Sequence, residues 1–205
     1  MSDPILPGAE PESWSGDSTQ GRADAALVLH GFTGTPQSMR ALAEALAATG
    51  LAVELPLLPG HGTSIEDMVP TRWRDWFAAA EAAYCALAAR SRRVVVVGLS
   101  MGGTLACALA AGHPEVAGIA VINPFVEPPA QSFFEILRGV LSAGVEVAPG
   151  LGADLADPGA AELSYSGTPI RAALSLFEAT ATLELGRIAC PVLLLQSRGD
   201  HVVPP

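Results

Sequence analysis

The sequence contains no lysine. Its eleven basic residues are all arginine and are outnumbered by twenty-one acidic ones, leaving a net charge of −10. Nucleic acid needs a basic stripe to pair with its phosphates, so it is excluded as a partner. Without lysine, no glycine-rich turn can serve as a P-loop. Long apolar runs are also missing. The runs at 25–29 and 192–195 fall well short of the about 20 residues that a membrane span needs. The first 24 residues are acidic and rich in Pro, Gly and Ser, with neither a basic n-region nor an apolar h-region. They do not read as a signal peptide, which points to a cytoplasmic protein. Cysteine is scarce: Cys85, Cys107 and Cys190 are odd in number and lack CxxC spacing, so reduced, buried thiols are expected. His30, His61, Asp200 and His201 show no HxxxH or HExxH spacing, so no metal is expected. No dinucleotide spacing and no 20–50-residue repeat is present, and no cofactor is implied.

What is there is half apolar and 205 residues long, enough for one domain with a full core. Short apolar runs at 25–30, 52–55, 94–97, 116–122 and 191–196 read as buried strands. Between them, helical periodicity runs over 36–49, 71–90 and 101–112. Thr35 is the expected cap of the first helix, with Pro36 at its first turn. Trp73 and Trp76 read as core packing. Alternating strands and helices imply α/β architecture: a mainly parallel sheet with helices on both faces. Residues 125–188 are too long for one crossover and read as a helical insertion over the ligand-binding edge of the sheet. The expected division is a flexible segment at 1–24, a core at 25–124 and 189–205, and a cap at 125–188.

The chemistry centres on "RRVVVVGLSMGG", residues 92–103. Gly98-x-Ser100-x-Gly102, with a β-branched run before it and a small-residue helix after it, fits a nucleophile elbow. The serine must occupy a tight, strained turn, and glycine at 98 and 102 removes collisions with strand and helix. The alternative is an ordinary turn whose serine caps the helix. An acyl-transfer site also needs an oxyanion hole. The Met101 N–H supplies one donor, and the Phe32 N–H in "HGFTG" is the candidate for the second. Asp200, in a Gly-containing turn just past the last predicted strand, is the candidate acid; the alternative is a plain turn aspartate.

Together, "LVLHGFTGTPQSM", "LPLLPGHGTS", "TRWRDWF", "VVVVGLSMGG" and "CPVLLLQSRGDHVVPP" resemble the α/β-hydrolase superfamily. The closer resemblance is to bacterial carboxylesterases and monoacylglycerol lipases with a small helical cap. It spans residues 25–205. It implies Ser100 as nucleophile, Asp200 as acid, Phe32 and Met101 as oxyanion donors, and the 125–188 insertion as a lid over an acyl pocket.

One departure from the family pattern concerns the base. The triad of this superfamily runs Ser, Asp, His, and the histidine follows one further strand. Of the four histidines here, His30 lies in the oxyanion loop and His61 in a loop whose histidine is not the base in the family. His113 ends the elbow helix, and His201 adjoins Asp200 and cannot easily bridge it to Ser100. The sequence therefore places the base, with the last strand and helix, after residue 205. A strand left at the sheet edge by that absence is expected to promote aggregation. The expected activity is hydrolysis of small carboxylic esters, monoacylglycerol included. Phe133, Phe134, Leu137, Val140 and Leu141 either face the acyl chain or pack on the sheet. A thioesterase or acyltransferase on the same scaffold is the alternative, and a non-catalytic hydrolase-like binding module is another.

Overall fold

The computed structural model describes residues 3–17, 21–150, 155–157 and 159–203. Six strands form one sheet in the order β1-β3-β2-β4-β5-β8: β1 (Glu12–Trp14), β2 (Ala25–Leu29), β3 (Ala52–Leu55), β4 (Val94–Leu99), β5 (Gly118–Ile122) and β8 (Val192–Leu195). β1 pairs antiparallel with β3, and the other pairings are parallel. The sheet is mainly parallel, as the alternating pattern implies. Its central strands are apolar on both sides because helices lie on both faces. Along β4, Val94 and Val96 face α3 (Trp73–Arg90) and α4 (Met101–Gly112), whereas Val95, Val97 and Leu99 face the α1 side (Gln37–Ala47).

Composition predicts no element before residue 25, yet β1 lies there. Its neighbourhood has few apolar side chains and is held by pairing instead. Arg40 donates to Gly8 O and Glu10 O and pairs with Glu12, and Ala9 is fully buried. α1 begins one residue later than expected. Pro36, not Thr35, occupies the cap, and the buried Thr35 hydroxyl has no hydrogen-bond partner among the described residues. α1 buries Met39 and Ala43, one turn apart on one stripe, and the chain leaves it through Gly50 at φ +92°. α3 starts with the Asp75 carboxylate accepting from Arg72 N–H at 2.9 Å, the back half of a capping box.

Between β5 and β8 lie α5 (Gln131–Ser142), a small antiparallel pair of β6 (Val147–Pro149) and β7 (Gly167–Pro169), and α6 (Ile170–Thr180). Phe134 is buried against Ile170 and Leu174 of α6, with Leu137, Val140 and Leu141 packed around it. This apolar face of α5 therefore packs on α6 rather than on the sheet. Phe133 stays half exposed beside the Phe177 ring. The thiols differ from expectation in two places: Cys107 is buried, which pushes its pKa up to about 11, but Cys190 is half-buried and Cys85 is exposed.

β8 is the edge of the sheet beyond β5. Its four residues are 48–58% exposed although all are apolar, so both of its faces as well as its outer edge meet solvent. α1 covers only the β3–β2 side of its face, which leaves Ala120 and Ile122 of β5 partly exposed. An apolar edge strand without a charge is a template for pairing with another chain. The chain is expected to associate in a concentration-dependent manner in light scattering, and Leu194→Lys is expected to reduce that association. A monodisperse wild type at high concentration would contradict this.

Candidate active site

Ser100 sits between β4 and α4 at φ +52°, ψ −117°. A side chain held there stores about 1–3 kcal/mol of strain and persists only where the surroundings dictate it. The surroundings do so. Ser100 N–H donates to Ile122 O at 2.9 Å, and Ser100 O accepts from Thr104 N–H at 3.1 Å. Thr104 Oγ1 in turn donates to Phe125 O at 2.6 Å.

The flanking glycines are explained by close approach. A Cβ on Gly98 would lie 2.0 Å from Gly102 O, and one on Gly102 would lie 2.2 Å from Leu29 O. Both neighbours are backbone and cannot swing away. Gly102→Ala is therefore expected to cost more than the about 1–3 kcal/mol of ordinary overpacking. Its urea midpoint should fall well below that of the wild type, and an unchanged midpoint would refute the steric account.

The loop after β2 closes on the nucleophile: a Cβ on Gly31 would lie 3.6 Å from Ser100 Cβ. Thr33 has φ +61°, and its hydroxyl donates to Phe32 O at 2.6 Å. Gly34 N–H reaches back to Gly31 O at 3.3 Å. Behind the loop lies an aromatic cluster. The Phe32 ring packs edge-on against Trp76 at 5.5 Å, and His61 lies 5.0 Å from His30 and 5.8 Å from Trp76. Trp76 is fully buried, as core packing requires, and its Nε1–H donates to Pro59 O at 3.0 Å.

The histidines divide by environment. His30 and His61 are buried, which lowers their pKa values to about 4 and about 3. His61 Nδ1 lies 3.0 Å from Pro59 O, and its buried Nε2 has no hydrogen-bond partner among the described residues. His113 caps the opposite end of α4 from Ser100, about 20 Å away at 1.5 Å per residue. Burial opposes its charge, but hydrogen bonds to Glu81 and Glu115 raise its pKa overall. His201 follows Asp200 in the turn after β8.

Asp200 lies past the carboxyl end of β8, two strands from Ser100 on the same edge of the sheet. Two interstrand spacings are about 10 Å. Asp200 Oδ1 accepts from Val202 N–H at 2.8 Å and from Val203 N–H at 2.7 Å, which shapes the turn.

Three residues at this edge escaped the sequence reading. Asn123, at φ +44°, donates its N–H to Leu195 O and accepts from Ser197 N–H, both at 2.8 Å, tying β5 to the Asp200 turn. "INP" directly after a strand is the signal that could have found it. Tyr165 donates its N–H to Thr33 O at 3.0 Å, and its hydroxyl donates to Gly60 O and accepts from Thr63 N–H. Glu162, whose pKa burial raises, lies beside Gly34. Neither of these last two has a local sequence signal, because their partners are about 100 residues or more away. A cavity of about 220 Å³ between Trp73, Phe77, Ala111 and Leu183 lies at the far end of α4, away from Ser100. Among the described residues, no group of three or more His, Cys, Asp or Glu could hold a metal ion. Among them too, no helix is long and apolar enough to cross a membrane.

A strained serine between a parallel strand and a helix, with a glycine-bearing loop against it, is the arrangement that defines α/β hydrolases. The α/β hydrolase fold family matches residues 26–147, and the chain belongs to that family. It is 44% identical over 206 residues to a thermostable monoacylglycerol lipase of Bacillus sp. (strain H-257), covering 98% of this chain and 78% of that protein. It is 27% identical to a carboxylesterase of Bacillus subtilis (strain 168) over 188 residues, covering 90% and 75%. Among solved structures, a chain from the work on the metagenome-derived lipolytic enzymes LipS and LipT superposes with a TM-score of 0.89. It is 40% identical and covers 98% of this chain and 81% of that one. These relatives support an ester hydrolase.

Proposed function

We propose that this chain is a serine carboxylic-ester hydrolase of the carboxylesterase or monoacylglycerol lipase type. The observation that supports the reading most is Ser100, held at φ +52° with the Gly31 loop so near that a Cβ there would lie 3.6 Å from Ser100 Cβ. In this reading Ser100 Oγ attacks the ester carbonyl. The Phe32 and Met101 N–H groups receive the oxyanion, Asp200 orients the base, and water then releases the acyl group from Ser100. The base is a histidine, a role for which none of His30, His61 and His113 is placed. The histidine environments support this: His30 and His61 are buried and hard to protonate, and His113 is at the wrong end of α4. Residues 125–188 form the cap over the acyl pocket, and no metal or cofactor takes part.

The test is Ser100-dependent turnover, by the chain extended past Pro205 with a histidine-bearing segment, over a chain-length series of p-nitrophenyl esters, 1-monoacylglycerols and matched acyl thioesters. Esters are expected to be hydrolysed faster than thioesters, and Ser100→Ala is expected to remove that turnover. A preference for thioesters would favour the thioesterase alternative. Turnover unchanged in Ser100→Ala would reject the serine mechanism.

A further inference from the structure

Gly31 C=O and Phe32 N–H are the two ends of one peptide group. That group is planar and trans, so its C=O and N–H point in opposite directions and turn together. Whatever holds Gly31 O also sets the direction of Phe32 N–H.

His30 Nδ1 lies 3.0 Å from Gly31 O. Its other nitrogen, Nε2, lies 3.1 Å from Leu58 N. A backbone N–H can only donate, so Nε2 must present its lone pair to Leu58. In the neutral ring the proton then sits on Nδ1, where it donates to Gly31 O. The ring is fully buried, so no bulk water competes for either bond. Its edge-on neighbour His61 is buried too, and His30 is neutral in this setting because burial disfavours its charge. The only other donor to Gly31 O among the described residues is Gly34 N–H, at a longer 3.3 Å.

We propose that His30 is a positioning residue for the oxyanion hole. Leu58 N–H selects its Nδ1–H tautomer, and that proton locks the Gly31–Phe32 peptide so that Phe32 N–H faces the reacting carbonyl beside Ser100. This rests on the assignment of Ser100 and Phe32 made above. The loop at 58–61 thereby acts on the site through one ring and one peptide plane, without touching substrate.

The tautomer is read directly by long-range proton–nitrogen NMR of the wild-type chain with ¹⁵N-labelled histidine. Nδ1–H is expected for His30, and Nε2–H would overturn the proposal. Two substitutions then separate the two bonds. His30→Asn places an amide near the position of Nδ1 and can still donate to Gly31 O. His30→Gln places its amide near the position of Nε2 and can serve only Leu58. The residual dipolar coupling of Phe32 N–H, referenced to the β2 and β4 amides, is expected to hold in His30→Asn and to change in His30→Gln. The same coupling in both variants, or an equal change in both, would overturn the proposal. In Ser100-dependent ester turnover by the chain extended past Pro205 with a histidine-bearing segment, His30→Gln is expected to lower kcat about 10- to 100-fold relative to His30→Asn at similar KM. A loss confined to KM would overturn the positioning role. Should turnover prove independent of Ser100, the enzymatic reading fails, while the tautomer and the coupling still decide the peptide's orientation.

Discussion

Extended at Pro205 by a further strand, a histidine-bearing loop and a helix, the chain is expected to hydrolyse p-nitrophenyl butyrate on the order of 10⁴- to 10⁶-fold faster than it does as 205 residues. The physical reason is proton transfer. A serine hydroxyl is a weak nucleophile unless a base takes its proton as it attacks. The strained turn of Ser100 and its oxyanion donors stabilise charge but accept no proton. His30 Nε2 is occupied by Leu58 N–H, and His61 Nε2 is sealed among His30, Phe32 and Trp76. The 205-residue chain should retain only the residual rate that oxyanion stabilisation and binding provide. Ser100→Ala should abolish the gain in the extended chain. Equal rates with and without the extension would show that the base lies within these residues, and His201→Ala would then test the remaining candidate. The same extension is expected to suppress association through β8 if it covers that strand.

Acidification from pH 7 to pH 4.5 is expected to lower the unfolding free energy by roughly 5 kcal/mol. The groups responsible are His30 and His61. Burial holds their folded pKa values at about 4 and about 3, whereas both titrate near 6.5 when unfolded. Above pH 6.5 both states are neutral and the stability is fully present. Below it the unfolded chain takes up protons that the folded chain refuses, so stability falls until the pH reaches the folded values. Each histidine contributes about 1.4 kcal/mol per pH unit in that window. A domain of this kind holds only about 5–15 kcal/mol in total. His113 offsets a small part of the loss between pH 7 and 6.5. Its folded pKa is raised, so its contribution is complete below 6.5 and fades only at higher pH. Glu162, also raised, offsets part of the loss as its carboxyl takes up a proton in the folded state. Asp24, held well below the ordinary carboxylate range by hydrogen bonds from Arg93 and Arg92, loses its contribution only at pH values beneath this window. Urea midpoints at pH 7.5, 5.5 and 4.5 measure the slope, and His61→Phe should remove about half of it. A midpoint constant over this range would contradict buried, neutral histidines.

Much of the fold is written in local pattern. The valine run of β4, the small residues of α4 and the glycines at 98 and 102 are contiguous, and each forces the next. A buried strand must turn, the turn must be tight, and only glycine clears the backbone of its neighbours. The predicted spans at 52–55 and 101–112 match β3 and α4 for that reason. The site was legible to the same depth. Ser100 and the loop at 30–34 come from short motifs, and the structure brings them together across β2 and β4.

Partners distant in sequence were not legible. β1 exists because β3 offers an edge and Arg40 offers a cation, and neither is encoded in residues 12–14. Tyr165 joins loops more than 100 residues away, and its own surroundings announce nothing. Sequence alone determined where the strained turn at Ser100 and its glycines fall, because these are local requirements. Only the tertiary structure decided which histidine nitrogens are engaged and which strand is left uncovered. Burial and hydrogen bonding belong to the neighbours that folding brings near, and these lie far away along the chain.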